Sequence, residues 1–115
     1  MAELEFAARE YAYEGVPQAM RHGRVAFTMN NEGEQAHEMV LYRRNAESEG
    51  DFEAVLSEGE QGTQAALITA VSVAPESSYT FVADLAGGRY AMVCELRTGE
   101  QAHWERGEIA EIEVQ

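Results

Sequence analysis

Residues 87–96 read Gly-Gly-Arg-Tyr-Ala-Met-Val-Cys-Glu-Leu, and this stretch decides the fold class. The paired glycines make a turn, and Tyr90, Met92, Cys94 and Leu96 then recur at every second position. A repeat of two puts those side chains on one face of a strand, whereas a helix needs apolar residues three and four apart. The same repeat returns on both sides. Downstream, Ala110, Ile112 and Val114 alternate with Glu111 and Glu113; upstream, Tyr79, Phe81 and Ala83 alternate with Thr80 and Val82. Val25, Phe27 and Met29 mark another strand, followed by a polar turn at residues 30–34 and a strand through His-Glu-Met-Val-Leu-Tyr-Arg-Arg at 37–44. Near the start, Leu4, Phe6 and Ala8 alternate with Glu3, Glu5 and Ala7, and the change of parity to Tyr11 and Tyr13 predicts a bulge near Arg9.

The remaining segments are less regular. Residues 16–20 read as a short edge piece opened by Pro17, and His22-Gly23 as a turn that leaves His22 in solvent. Asp51 is placed to cap a short helix through Phe52-Glu53-Ala54-Val55-Leu56, which Gly59 and Gly62 end. Residues 65–73 are β-branched in their second half but rich in small residues, so helix and strand both stay open there until Pro75. Seven or eight short strands punctuated by turns predict an all-β fold, an antiparallel Greek-key β-sandwich with one short helix. With no linker, repeat or low-complexity tract, residues 1–115 are expected to form a single domain.

Composition narrows the function. Twenty-one acidic residues against eight basic ones, all arginine, give a formal charge of −13. Nucleic-acid binding is excluded as an expectation, because phosphate contact needs a basic face that releases counterions. No apolar run approaches the roughly 20 residues that span a bilayer. The opening Met-Ala-Glu-Leu-Glu-Phe-Ala-Ala-Arg-Glu has neither the basic start nor the apolar stretch of a signal peptide, which predicts an intracellular product or a mature domain without its leader. Catalysis finds little support: no nucleophile has a neighbouring base motif, and no glycine loop is built to cradle phosphate.

Cys94 is the single cysteine, so it cannot staple its own chain. A lone buried thiol is ordinarily a small hydrophobe, but this one keeps company. His37 opens a strand, Cys94 lies near the end of another, His103 follows Cys94 after eight intervening residues, and Glu108 follows His103 after four. A sandwich brings such strand ends together. One thiolate and two imidazoles in a trigonal set bind both Cu(I) and Cu(II), and a weak axial ligand tunes the potential.

At these residues the sequence resembles the cupredoxin (plastocyanin-like blue copper) family. Asn-Asn-Glu-Gly-Glu-Gln-Ala-His-Glu-Met-Val-Leu at 30–41 is similar to the family's segment ending in its first copper histidine. Gly-Arg-Tyr-Ala-Met-Val-Cys at 88–94 is similar to the strand that delivers the copper cysteine, and His-Trp-Glu-Arg-Gly-Glu at 103–108 to the closing loop. The branch it resembles most is that of small bacterial cupredoxin-like proteins with a long Cys-to-His loop. The resemblance implies a cupredoxin-type sandwich, one copper ion per chain at His37, Cys94 and His103, and one-electron transfer by a monomer to a redox partner protein. It also implies export to the periplasm or beyond. The acid excess favours a basic partner.

Three departures bear on that picture. Glu108 stands where the family has methionine, Glu95 where an apolar residue follows the cysteine, and Ala102 where proline precedes the histidine. A carboxylate is harder than a thioether and favours Cu(II) or Zn(II). Two readings of Glu108 therefore stand: an axial or nearby carboxylate, or an ordinary acid in a chain that has lost its metal and serves as a binding module. The other twenty carboxylates read as surface charge. Trp104 reads as a shield of the site or as rim packing, and Tyr11 and Tyr13 as cross-strand packing.

Overall fold

A computed structural model of the protein describes residues 2–44 and 65–115. The helix expected over residues 52–56 lies outside the described residues. Among the described residues eleven strands carry the fold: β1 (Ala2–Arg9), β2 (Ala12–Glu14), β3 (Ala19–Met20), β4 (Gly23–Asn31), β5 (His37–Arg44), β6 (Ala65–Val73), β7 (Ser78–Leu85), β8 (Gly88–Val93), β9 (Arg97–Thr98), β10 (Gln101–Ala102) and β11 (Ile109–Val114). A 3₁₀ turn, His103–Arg106, precedes β11. One sheet has the order β2-β1-β4-β7 and the other β3-β11-β8-β5-β6, with β9 and β10 forming a small ribbon.

The alternating side chains close the sandwich. Phe6 and Ala8 from β1 and Val25, Phe27 and Met29 from β4 meet Met39, Leu41, Tyr90, Met92, Ile112 and Val114 from the opposite sheet in one core. Burial of this apolar surface, at about 25 cal/mol per Å², is the main force holding the sheets together. The central strands β5 and β8 are covered on both faces. Val40, Ala91 and Val93 point away from the main core and are sealed by Tyr42, Trp104 and Ile109. Their sequences, Met-Val-Leu and Tyr-Ala-Met-Val, therefore run apolar without a break. Residues 65–73, open from sequence alone, are strand β6 paired with β5.

Two expectations change. The sandwich is not wholly antiparallel: β1 lies parallel to β4, and β3 lies parallel to β11. A period-two pattern fixes which side chains face inward but carries no information about strand direction. The parity change after Ala8 is also not a bulge. Arg9 pairs with Ala12, so the chain reverses through Glu10 and Tyr11 in a tight hairpin. In the hairpin the alternation continues, but in a new strand.

Registry places the chemistry. Val40 and Ile109 both pair with Val93 at the end of β8. The start of β5, the end of β8 and the start of β11 therefore share one end of the five-stranded sheet, and the hairpin residue Tyr11 reaches the same end.

Candidate metal centre

His37 begins β5, Cys94 directly follows β8, His103 begins the 3₁₀ turn, and Glu108 directly precedes β11. Main-chain bonds tie these ends into one frame. The Cys94 amide donates to the Glu108 carbonyl at 3.1 Å, Trp104 to the Cys94 carbonyl at 3.0 Å, His103 to Leu96 at 2.7 Å and Glu108 to His103 at 3.1 Å. Gly107 ends the turn with φ 116°, a left-handed conformation that favours glycine, and a Cβ there would sit 3.2 Å from the Tyr11 carbonyl oxygen.

The four side chains are all buried, and one ligand atom from each falls within 4.8 Å of the others. Cys94 Sγ lies 3.4 Å from His103 Nδ1. Glu108 Oε1 is 2.8 Å from His37 Nδ1 and 3.7 Å from His103 Nδ1. The Glu38 amide donates to Sγ at 3.3 Å. The structure thus brings together all four residues singled out from sequence. His22 stays apart, exposed and bonded to the Gln115 carbonyl.

The outer nitrogen of each ring has its own partner. Thr98 donates its hydroxyl to Gln35 Oε1 at 2.9 Å, so it accepts from His103 Nε2, also at 2.9 Å. Glu10 Oε1 accepts from His37 Nε2 at 3.0 Å. A carboxylate or a hydroxyl already donating elsewhere accepts only an N–H, so both rings carry the proton on Nε2. In the neutral form of each ring Nδ1 is then bare, and both Nδ1 atoms face the cluster. That is the donor set a metal ion needs, with the outer hydrogen bonds fixing tautomer and ring plane. Glu108 Oε2 is buried with no hydrogen-bond partner among the described residues, which leaves a second inward donor unspent.

Burial governs protonation here. It pushes the Cys94 thiol up to about 12. Burial, then the charge of Glu10, pushes the Glu108 carboxyl up to about 8. Burial and the neighbouring His37 hold His103 below its ordinary value. Glu10 goes the other way, down to about 2, chiefly because the Gln35 amide donates to it.

Sequence reasoning missed Glu10, Glu38, Thr98 and Gln35. Glu10 and Glu38 are corrections to the view that every carboxylate but Glu108 is surface charge: Glu10 braces His37, and half-buried Glu38 accepts the Glu95 amide at 3.0 Å. Glu95 itself accepts from the Tyr42 hydroxyl at 2.7 Å. Trp104 seals the outer face of β5 and β8. Tyr13 packs edge-on against Phe6 as a cross-strand pair, but Tyr11 sets its ring 4.9 Å from that of His103.

The Glu108 shift predicts how stability of the metal-free protein varies with pH. The folded chain holds this proton up to about pH 8, while an unfolded one releases it near 4.5. In that interval the folded state binds more protons, so its stability falls as pH rises. His103 contributes in the opposite sense, but only below its ordinary 6.5. Between those limits the Glu108 effect should cost on the order of 1 kcal/mol per pH step, and the Glu38 carboxyl, which burial also holds above its ordinary value, acts in the same direction. Urea midpoints of the metal-free protein should fall from pH 6.5 to 8 and flatten in Glu108→Gln. Parallel slopes in both proteins would refute the assignment.

No family model and no curated protein matches this sequence. Solved structures do match. A dithionite-reduced auracyanin from Roseiflexus castenholzii superposes with a TM-score of 0.68 at 20 % identity, covering 100 % of this chain and 98 % of that one. Auracyanin A of Chloroflexus aurantiacus, a "blue" copper protein, gives 0.65 at 16 % identity, covering 99 % and 98 %. A multicopper oxidase gives 0.61 at 15 % identity, covering 98 % of this chain but 41 % of its own. Shared length and topology at such low identity speak for the fold, and this chain has the cupredoxin-like fold of the auracyanins.

Proposed function

We propose that the chain, a single domain over residues 1–115, holds one copper ion at His37, Cys94 and His103 with Glu108 as fourth ligand, and carries single electrons. The observation that supports this most is the pair of bare Nδ1 atoms aimed, with a buried thiol, at one point. A bound copper ion would supply a reversible Cu(I)/Cu(II) couple there. His37 and His103 would orient through their outer Nε2 bonds, and Cys94 would give up its proton on binding. The frame of main-chain bonds between residues 94 and 108 would hold the donors in place as charge changes. The sandwich excludes water from all four. The chain would act as a carrier rather than an enzyme. Its acid excess would steer it to a basic redox partner, as a monomer. The auracyanin likeness supports an exported protein, outside the cytoplasm. Among the described residues no helix is long and apolar enough to cross a membrane.

A second reading has one observation in its favour. The cluster largely satisfies itself, with His37 bonded to Glu108 and Cys94 to His103, as a metal-free binding module would require. Titrating Cu(II) into the metal-free protein separates the two. The copper reading expects saturation at one equivalent with an intense thiolate-to-copper charge-transfer band. A colourless protein with no stoichiometric uptake would favour the module.

A further inference from the structure

We propose that Glu10 is a positioning residue for His37: its carboxylate takes the Nε2–H, holds the bare Nδ1 toward Cys94 and His103, and sets a negative charge behind the ring. The part concerning charge rests on the copper reading; the part concerning the ring does not.

Glu10 is the first residue of the β1–β2 reversal, a place where an acid is ordinarily spent on solvent or on a nearby arginine. Its neighbour Arg9 is instead engaged by Glu14 at 3.0 Å and Glu32 at 2.6 Å. Glu10 turns toward the site, where a single oxygen, Oε1, gathers three N–H donors: Glu34 at 2.7 Å, Gln35 at 2.8 Å and His37 Nε2 at 3.0 Å. Two come from the main chain of the turn between β4 and β5, so the carboxylate is held in place independently of the ring. The His37 ring is wholly buried, while the Glu10 side chain is 27 % exposed. Glu10 is thus the link between this ring and the surface.

Gly33 makes the contact possible. A Cβ at this position would fall on Glu10 Oε1 and come within 2.7 Å of His37 Nε2. A glycine in a polar turn reads from sequence as a conformational choice; here its use is to leave room for the carboxylate and the imidazole to meet. A carboxylate behind a ligating imidazole makes the ring a stronger donor than a neutral carbonyl would, and a stronger donor favours the more highly charged ion. Glu10 would accordingly bias the site toward Cu(II).

The first test needs no metal. In the ¹⁵N-labelled metal-free protein, His37 should show a protonated Nε2 and an unprotonated Nδ1, with the ring N–H exchanging slowly with water. Glu10→Ala should speed that exchange at least tenfold. Gly33→Ala should do the same without altering either partner, and Glu10→Gln, which retains an acceptor, should largely keep it slow. Fast exchange in the parent, a proton on Nδ1, or exchange unchanged in both alanine variants overturns the positioning role. The second test uses the copper-loaded protein. Glu10→Ala should weaken Cu(II) binding about 10–100-fold. Glu10→Gln should shift the Cu(II)-to-Cu(I) affinity ratio about tenfold toward Cu(I), a rise of about 59 mV for a one-electron couple. An unmoved potential in Glu10→Gln overturns the role of the charge. A parent protein that shows the expected exchange but takes up no copper overturns the copper reading and leaves the positioning role standing.

Discussion

Cys94→Ser is expected to remove the intense charge-transfer band outright and to weaken copper binding beyond the roughly 100-fold that loss of an outer hydrogen-bond partner costs. The band needs a thiolate, and Cys94 is the only cysteine in the chain. Serine is nearly isosteric and keeps the local bonds: the Glu38 amide can donate to its oxygen, and the hydroxyl can donate to His103 Nδ1 as the thiol does. The fold should therefore survive, at a cost of about 1–3 kcal/mol for placing a hydroxyl where a softer group packed. This makes the variant informative in both directions. Loss of colour and affinity with a retained unfolding transition assigns Cys94 to the metal. Retained stoichiometric binding in Cys94→Ser would move the metal elsewhere. A change in stability alone, from a parent that binds no copper, is what the module reading expects.

The sequence carried some of this structure openly and hid the rest for identifiable reasons. Strand positions were legible because Phe27, Met92 and Ile112 must face one core, and a strand turns every second residue to the same side. The meeting of His37, Cys94, His103 and Glu108 was legible because each sits at a strand boundary and a sandwich gathers such boundaries at its ends. Strand direction was not legible, since alternation reads the same for parallel and antiparallel neighbours, and so β1 beside β4 came as a correction. Glu10 was hidden for another reason. One acid among 21 looks like surface charge, and its contact with His37 depends on a hairpin that alternation alone presents as a bulge and on a glycine 23 positions away that composition presents as a turn. Groups that brace a buried ring are set by three-dimensional reach, which leaves no spacing rule in the chain. Thr98 and Gln35, which brace His103, escaped notice in the same way.

Glu108→Met is expected to raise the reduction potential, because it replaces a buried carboxylate at the centre of the cluster with a neutral thioether. The carboxylate has no surface role to fall back on. It is fully buried, Oε1 lies 2.8 Å from one Nδ1 and 3.7 Å from the other, and Oε2 has no partner among the described residues. Keeping such a group ionised in an apolar interior is costly unless a cation compensates it. If that cation is copper, the negative charge stabilises Cu(II) more than Cu(I), and its loss should shift the affinity ratio at least tenfold, or about 59 mV upward. The optical spectrum should change with it, since a hard oxygen donor gives way to a soft sulfur. Glu108→Gln separates charge from ligand type: it keeps an oxygen donor and removes the charge, so it should raise the potential while disturbing the spectrum less. If both variants leave potential and spectrum unchanged while copper still binds, the carboxylate does not reach the metal and the site is one of three ligands. If both bind no copper at all, Glu108 is required for the site to form, and the unpaired Oε2 is the atom that most directly accounts for the requirement.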